Sequence, residues 1–340
     1  MDNNNSNTTV PKMDLVYLIL QATILSIITL FMIVGNFIVI VVVNRSEQLQ
    51  NASGIFMANL AVTDLTLGVI LMPITIASSI LGRWIFSDIM CKFCGFLNVM
   101  LCSTSALTVM LLSIDRFIAI SRPMQYIKIM SKKRALVLST YMWIHSAIVS
   151  TFPLLGWAKY EYVEAEAVCF AIESVSYFNF LCASTVFLAI FLIIITHIYI
   201  LKVAIKQSQQ IVTLTPGFED VTRETMRQMN RKTAKTVLII VGVYLACWIP
   251  YISLTYVQIY ANYVPPPIAI TITSGLIFVN SASNPIIYGT FHRRFRNAFI
   301  RSFMPILTKC SIVDEYAHNR EQASYLHTSN TVRKLNNSNH

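Results

Sequence analysis

Asp64 is the lone charge within residues 48–82, a stretch otherwise built of apolar and small neutral residues. An ionisable group in so apolar a setting is costly unless it meets a partner, water or a cation, so it marks a site. Ser105 and Asn284 fall at matching helical depths: from the inner ends of their helices, Asp64 lies ~18 Å in, Ser105 ~16 Å and Asn284 ~13 Å at ~1.5 Å per residue. Asn280 and Ser281 stand one turn above Asn284, and Asn36 sits in the middle of the first apolar tract. Oxygen donors gathered at one level suit a hard monovalent cation such as sodium. A hydrated network that only joins helices is the alternative that spacing leaves open.

Two further groups could do work. Asp115-Arg116-Phe117 closes the third apolar tract, with Arg116 twenty-five residues after Cys91, so ~37 Å away along a helix and at the opposite membrane boundary. A neighbouring aspartate can hold a guanidinium in one state and release it to a partner; a membrane-edge ion pair with no further role is the plainer reading. Pro250 in Cys247-Trp248-Ile249-Pro250 and Pro285 in Asn284-Pro285-Ile286-Ile287-Tyr288 interrupt apolar tracts, and proline inside a helix removes a backbone bond and makes a kink. Catalysis has less support. No serine and histidine or paired aspartates share a depth, and His197 falls near an inner edge, so an enzyme is not expected.

The elements that would position these groups follow from composition. The chain is 55% hydrophobic and 12% charged, with a net charge of +10 and a mean hydropathy of +0.60. Charge is excluded from residues 15–44, 93–114, 135–158 and 174–201, and from 48–82 apart from Asp64. Each tract exceeds the roughly 18 to 20 residues that cross ~30 Å of hydrocarbon. Residues 236–292 are too long for one crossing, and Pro265, Pro266 and Pro267 divide them. The expectation is an all-α membrane protein, a seven-helix transmembrane bundle over residues 15–290. Phe291, Phe295 and Phe299, with arginines between them, add a short amphipathic eighth helix over residues 291–304, lying on the lipid bilayer.

Lysine and arginine crowd one side of these spans, from Arg45 and Arg122 through Arg134, Lys202 and Arg231 to Arg293, while Lys12, Arg83, Lys92 and Lys159 are on the other. By the positive-inside rule the N-terminus is extracellular, in a multi-pass protein of the plasma membrane. The net charge serves orientation, and no nucleic-acid partner is expected. Residues 1–14 are polar and show no cleavable leader; Asn4 and Asn7 head glycosylation sequons there. Residues 305–340 read as a disordered cytoplasmic tail, in which Cys310 is a candidate for palmitoylation or a plain reduced thiol. Cys91 and Cys169 lie outside and are placed to bridge, although Cys94 is only one turn deeper.

Taken together these residues resemble the rhodopsin-like, class A G-protein-coupled receptors over about residues 15 to 303. The resemblance rests on Gly35-Asn36, Asn59-Leu60-Ala61-Val62-Thr63-Asp64, Cys91, Asp115-Arg116-Phe117, Trp143, Cys169, Tyr199, Cys247-Trp248-Ile249-Pro250 and Asn284-Pro285-Ile286-Ile287-Tyr288, one set per span and in order. It implies an extracellular small-molecule ligand, a heterotrimeric G protein as partner, and activation by an outward swing of the sixth helix. Trp248 resembles the toggle beneath the ligand, Asp115 and Arg116 with Tyr199 and Tyr288 the cytoplasmic switch, and Asp64, Ser105, Asn280, Ser281 and Asn284 the family's sodium pocket; no other cofactor is implied. The competing reading, an ion-coupled transporter, predicts an inverted repeat, and no matching half is present.

Departures from the family pattern carry their own expectations. Phe191 stands where a proline is usual, which puts the bulge of the fifth helix in doubt, and Asn230 replaces the acid that commonly locks the switch arginine. Loops around Pro153-Leu154-Leu155-Gly156-Trp157 look most like the amine-receptor and opsin branch. Yet Asn98 takes the place of the amine-binding aspartate, and Phe278 that of the retinal lysine. A cavity between Asn98, Trp248, Tyr251, Ile252, Thr255, Ser274 and Phe278 would be mostly apolar with a few neutral polar groups. Simple biogenic amines should then be poor agonists, unless Glu161, Glu164 and Glu166 draw in a cation.

Overall fold

The computed structural model describes residues 15–172, 174–209, 220–261 and 263–307. Its spans are α1 (Leu15–Arg45), α2 (Ala52–Leu81), α3 (Asp88–Ser121), α4 (Lys132–Leu155), α5 (Val175–Ile200, continuing to Gln209), α6 (Asp220–Tyr260) and α7 (Pro267–Phe291). A shorter helix, α8 (Arg293–Leu307), follows. Asn4, Asn7 and Cys310 lie outside the described residues, as does the side chain of Asn230.

Runs such as Ile38-Val39-Ile40-Val41-Val42-Val43 would favour strands in water, where β-branched side chains suit a pleated surface. Here they are helical. Hydrocarbon offers no partner for backbone N–H and C=O, so a helix, which satisfies them internally, is the available form. In α1, Met32, Asn36, Val39 and Val43 turn inward at spacings of three and four, while Leu20, Ile27 and Phe31 face out. Gly35 allows α1 and α7 to touch, since a Cβ there would come within 2.8 Å of the Pro285 ring.

The most deeply buried span is α3, packed against α2, α4, α5 and α6. It outruns its uncharged tract at both ends. Ser87 caps its start by accepting from the Met90 amide at 3.3 Å, and it continues past Asp115-Arg116-Phe117 to Ser121 instead of ending there. Charged side chains can reach the headgroup layer from a continuing helix, so loss of hydrophobicity does not end it. Asn59 ties three spans together, donating to Thr108 at 2.7 Å and accepting from the Trp143 indole at 2.8 Å.

The bulge of α5 forms without its proline. Residues Cys182–Phe187 are π-helical, and Phe191 points outward, 61% exposed. The Thr185 and Ser184 hydroxyls both donate to the Leu181 carbonyl at the start of this wider turn, at 2.6 and 3.4 Å. A second π segment, Leu67–Leu71, precedes Pro73 in α2.

Between α4 and α5 the chain forms an antiparallel hairpin, β1 (Lys159–Val163) with β2 (Val168–Ile172), in register Val163 to Val168. Cys169 of β2 is bonded to Cys91 of α3, and Cys94 remains a free thiol. Gly95 lets the hairpin sit close, because a Cβ there would fall 2.3 Å from the Tyr160 ring. On the other face, α8 buries Phe295 and Ala298 against the bundle. His292 opens it, its Nδ1 accepting from the Phe295 amide at 3.1 Å. Burial, with Arg116 and Arg294 nearby, pushes that imidazole down to about 3, so it stays neutral and able to accept.

Candidate ligand cavity, ion cluster and cytoplasmic switch

A cavity of about 60 Å³ opens between α3, α5, α6 and α7 under the hairpin. It gathers Asn98, Trp248, Tyr251, Ser274 and Phe278 from the set expected of it. Ile252 and Thr255 are not among its lining residues. Ile252 is turned ~100° from Tyr251 around the helix and packs in the bundle core. Thr255 stands a turn higher and donates back to the Tyr251 carbonyl at 2.9 Å.

Other walls were not foreseen. Leu181, Thr185 and Val186 arrive through the π segment of α5, which changes the phase of that helix. Glu166, Val168 and Phe170 descend from the hairpin. Cys169 lies between the last two, so its bridge to α3 was the available signal that its neighbours roof the mouth. The turn is held from three sides: the Ala165 carbonyl accepts from Thr271 at 2.6 Å and Gln21 at 3.3 Å, and Glu166 accepts from the Tyr251 hydroxyl at 3.3 Å.

Below the cavity, Asp64, Ser105, Asn280, Ser281 and Asn284 are all buried. The Asn284 amide donates to Asp64 at 2.8 Å, and Ser281 is a second hydrogen-bond partner of that carboxylate. Asn36 donates to the Ser281 carbonyl at 3.2 Å, leaving its own side-chain oxygen without a partner among the described residues. No hydrogen bond joins Ser105 or Asn280 to Asp64 among those residues. A carboxylate, hydroxyls and a free amide oxygen form a donor set that fits a hard monovalent cation.

At the inner boundary Asp115 is fully buried and held by several donors. Arg116 pairs with it at 3.2 Å and also donates to the Ser53 hydroxyl of α2. Ser53 in turn donates to Asp115, as does the Tyr126 hydroxyl at 2.7 Å. Tyr199 and Tyr288 do not join this group through any hydrogen bond among the described residues. Tyr199 is 44% exposed, edge-on to Phe117 at 4.9 Å, and Tyr288 is buried with its ring 6.0 Å from Phe295. At the base of the cavity Trp248 packs at 5.9 Å on Tyr244.

With this geometry in hand, the sequence matches the family described as 7 transmembrane receptor (rhodopsin family) over residues 35–288. The chain belongs to the rhodopsin family of seven-transmembrane receptors. It is 31% identical over 325 residues to the alpha-1A adrenergic receptor of Oryzias latipes, covering 87% of this chain and 69% of that one. Its identity to the Homo sapiens alpha-1A adrenergic receptor is 27% over 329 residues, with coverages of 87% and 70%. Squid rhodopsin superposes with a TM-score of 0.76 at 25% identity, over 88% of this chain and 84% of the other. This rhodopsin-family chain is therefore a G-protein-coupled receptor, and neither an enzyme nor a transporter.

One property of the receptor's hairpin can be measured directly. Burial pushes the Glu166 carboxyl up from 4.5 to about 7, against the opposing hydrogen bond from Tyr251. The docked turn thus holds a proton that an undocked one releases near 4.5, so acid favours docking. That contribution is complete below the lower value and is lost as pH rises to about 7. Hydrogen exchange at residues 163–168, corrected for intrinsic rates, should quicken by tens of fold, up to roughly seventyfold, between pH 5 and pH 8. Glu166→Gln should flatten the profile. An identical rise in that variant would detach the effect from Glu166.

Proposed function

We propose that this receptor binds a small extracellular ligand in the cavity under the hairpin and activates a heterotrimeric G protein through an outward swing of α6. The observation that carries the reading is the continuity of α6: Trp248 and Tyr251 line the cavity, Pro250 lies inside the helix between them, where it removes a backbone bond, and the helix extends toward the inner face. A ligand that favours one setting of Trp248 over another biases two packings of the bundle, which is all an agonist needs to do. The N-terminus is extracellular, with Asn4 and Asn7 as glycan acceptors, and the protein resides in the plasma membrane.

The same reading assigns Asp64, with Ser281, Asn284, Ser105 and Asn280, to a sodium ion that favours the inactive packing. Asp64 would supply the ionic ligand and the hydroxyls and amide oxygens neutral ones. Arg116 is the G-protein contact, held by Asp115 until release. Asn98 and Phe278 take the places of the amine-binding aspartate and the retinal lysine, so neither a helix-three ion pair nor a Schiff base is available.

Screening neutral and cationic small molecules on cells expressing the chain, with cyclic AMP and calcium both recorded, tests the reading. Hits should lose about tenfold or more in potency in Asn98→Ala or Phe278→Ala at matched surface expression, a loss of about 1.4 kcal/mol for each tenfold. Potencies unchanged in both variants for every hit would remove the cavity as the ligand site.

A further inference from the structure

We propose that Glu166 is the charged anchor of the ligand cavity, so that the ligand is an organic monocation held with its charge toward the hairpin and its apolar body toward Trp248 and Phe278. The inference rests on the cavity being the ligand site and adds the chemical class of the ligand.

Among the described residues Glu166 is the one acid that lines the cavity, and none of the described lysines, arginines or histidines lines it. Its charge is therefore not neutralised from within. A carboxylate offers about four acceptor positions, and among the described residues its hydrogen-bond donor is the Tyr251 hydroxyl, at 3.3 Å. An ammonium or guanidinium group would bring several donors and the opposite charge. Phe170, Trp248, Tyr251 and Phe278 line the same space and can present ring faces to a cation or pack its apolar body.

The aim of this carboxylate is built into the turn. Ala167 adopts a left-handed φ of 54°, a conformation disfavoured for a residue with a Cβ, and it does so while buried. The Glu166 amide bonds the Val163 carbonyl at 3.1 Å, and the Ala165 carbonyl is gripped by Thr271 of α7 and Gln21 of α1. Strain persists where surrounding contacts over-determine it, and such places cluster at ligand clamps. Here the strained residue sits next to Glu166, the acid that reaches the cavity among the described residues. The carboxylate that α3 lacks at Asn98 is thus supplied from the opposite, outer end, and a cation would bind with its charge toward the hairpin.

The test uses full-length receptor in lipid nanodiscs at pH 8, with thermal stabilisation as the readout. The probes are 2-phenylethylamine and tryptamine against their uncharged counterparts 2-phenylethanol and tryptophol. Half-maximal stabilisation should need at least tenfold less amine than alcohol. Glu166→Gln, whose side-chain oxygen can still accept from Tyr251, should erase that advantage, while Asn98→Ala should preserve the amine-to-alcohol ratio. Equal binding of amine and alcohol, an advantage that survives Glu166→Gln, or no stabilisation by either amine would overturn the proposal. Amine and alcohol binding equally, with both lost in Phe278→Ala, would leave the cavity as the ligand site and remove only the charged anchor. Ligands from the signalling screen that all ignore both Asn98→Ala and Phe278→Ala would instead remove the cavity itself.

Discussion

Arg116→Ala should abolish G-protein activation, a loss of about a hundredfold or more in agonist-stimulated output, while ligand binding at the outer cavity persists. Arg116 is ~37 Å along α3 from Cys91 at the outer mouth, so its removal cannot touch a ligand directly. Its contacts are local: the ion pair with Asp115 and the bond to Ser53. Removing the guanidinium leaves Asp115 buried with two hydroxyl donors, Ser53 and Tyr126, but no opposite charge. An uncompensated buried charge can itself destabilise a protein strongly, so alanine alone confounds folding with signalling. Arg116→Lys separates them. Lysine restores the charge beside Asp115 and should recover surface expression, yet it lacks the planar fork that presents several donors at once. Signalling should stay at least tenfold below the native level. Full signalling by either variant, at matched surface expression, would contradict the assignment of Arg116 as the G-protein contact.

Sodium should suppress the receptor, and Asp64→Asn should make it indifferent. Replacing sodium by N-methylglucamine is expected to raise basal output or agonist affinity about tenfold, within the 5- to 150-fold typical of coupling between two sites. The ion acts only if it binds the inactive packing more tightly than the active one, and a single carboxylate in a buried polar cluster provides that difference if the cluster rearranges. Asparagine keeps the shape of Asp64 and can still accept from Asn284, so the bundle should hold while the ionic ligand is gone. Equal sodium dependence in native and variant receptors would place the ion elsewhere. No sodium dependence in the native protein would return the cluster to a hydrated network that only joins helices.

The spans were legible because hydrocarbon penalises charge: low-charge tracts, the last of them divided by Pro265, Pro266 and Pro267, locate seven helices. Their ends were less so, since α3 runs on through Asp88 and Arg116 into a layer where charge is tolerated. The inner cluster was legible from depth along regular helices, and Asp64 does meet Asn284 and Ser281. The cavity was legible only in part. Regular helical spacing brought Trp248 and Tyr251 together, but it also predicted Ile252 and Thr255, because an apolar stripe is wider than the hollow it borders. Glu166 was legible only as one of three loop acids, with Glu161 and Glu164, that could draw in a cation: its direction depends on the Ala167 conformation and on contacts from α1, α6 and α7, which no local pattern encodes. Tyr199 was expected at the switch from resemblance and faces outward instead, packed on Phe117.

The π segment of α5 bears on how this chain should be aligned with its relatives. A wide turn accommodates about one residue more than an α-helical one, so the halves of α5 before Cys182 and after Phe187 do not share a single helical wheel. A wheel drawn through Val175–Ile200 as a uniform helix would misassign which side chains face the cavity and which face lipid. Proline is the usual textual marker of such a break, and here the marker is missing while the break remains, sustained by Thr185 and Ser184. Positional numbering counted from Phe191 is therefore valid toward Gln209 but slips in phase above the break, where Leu181 and Thr185 must be matched by geometry and not by count.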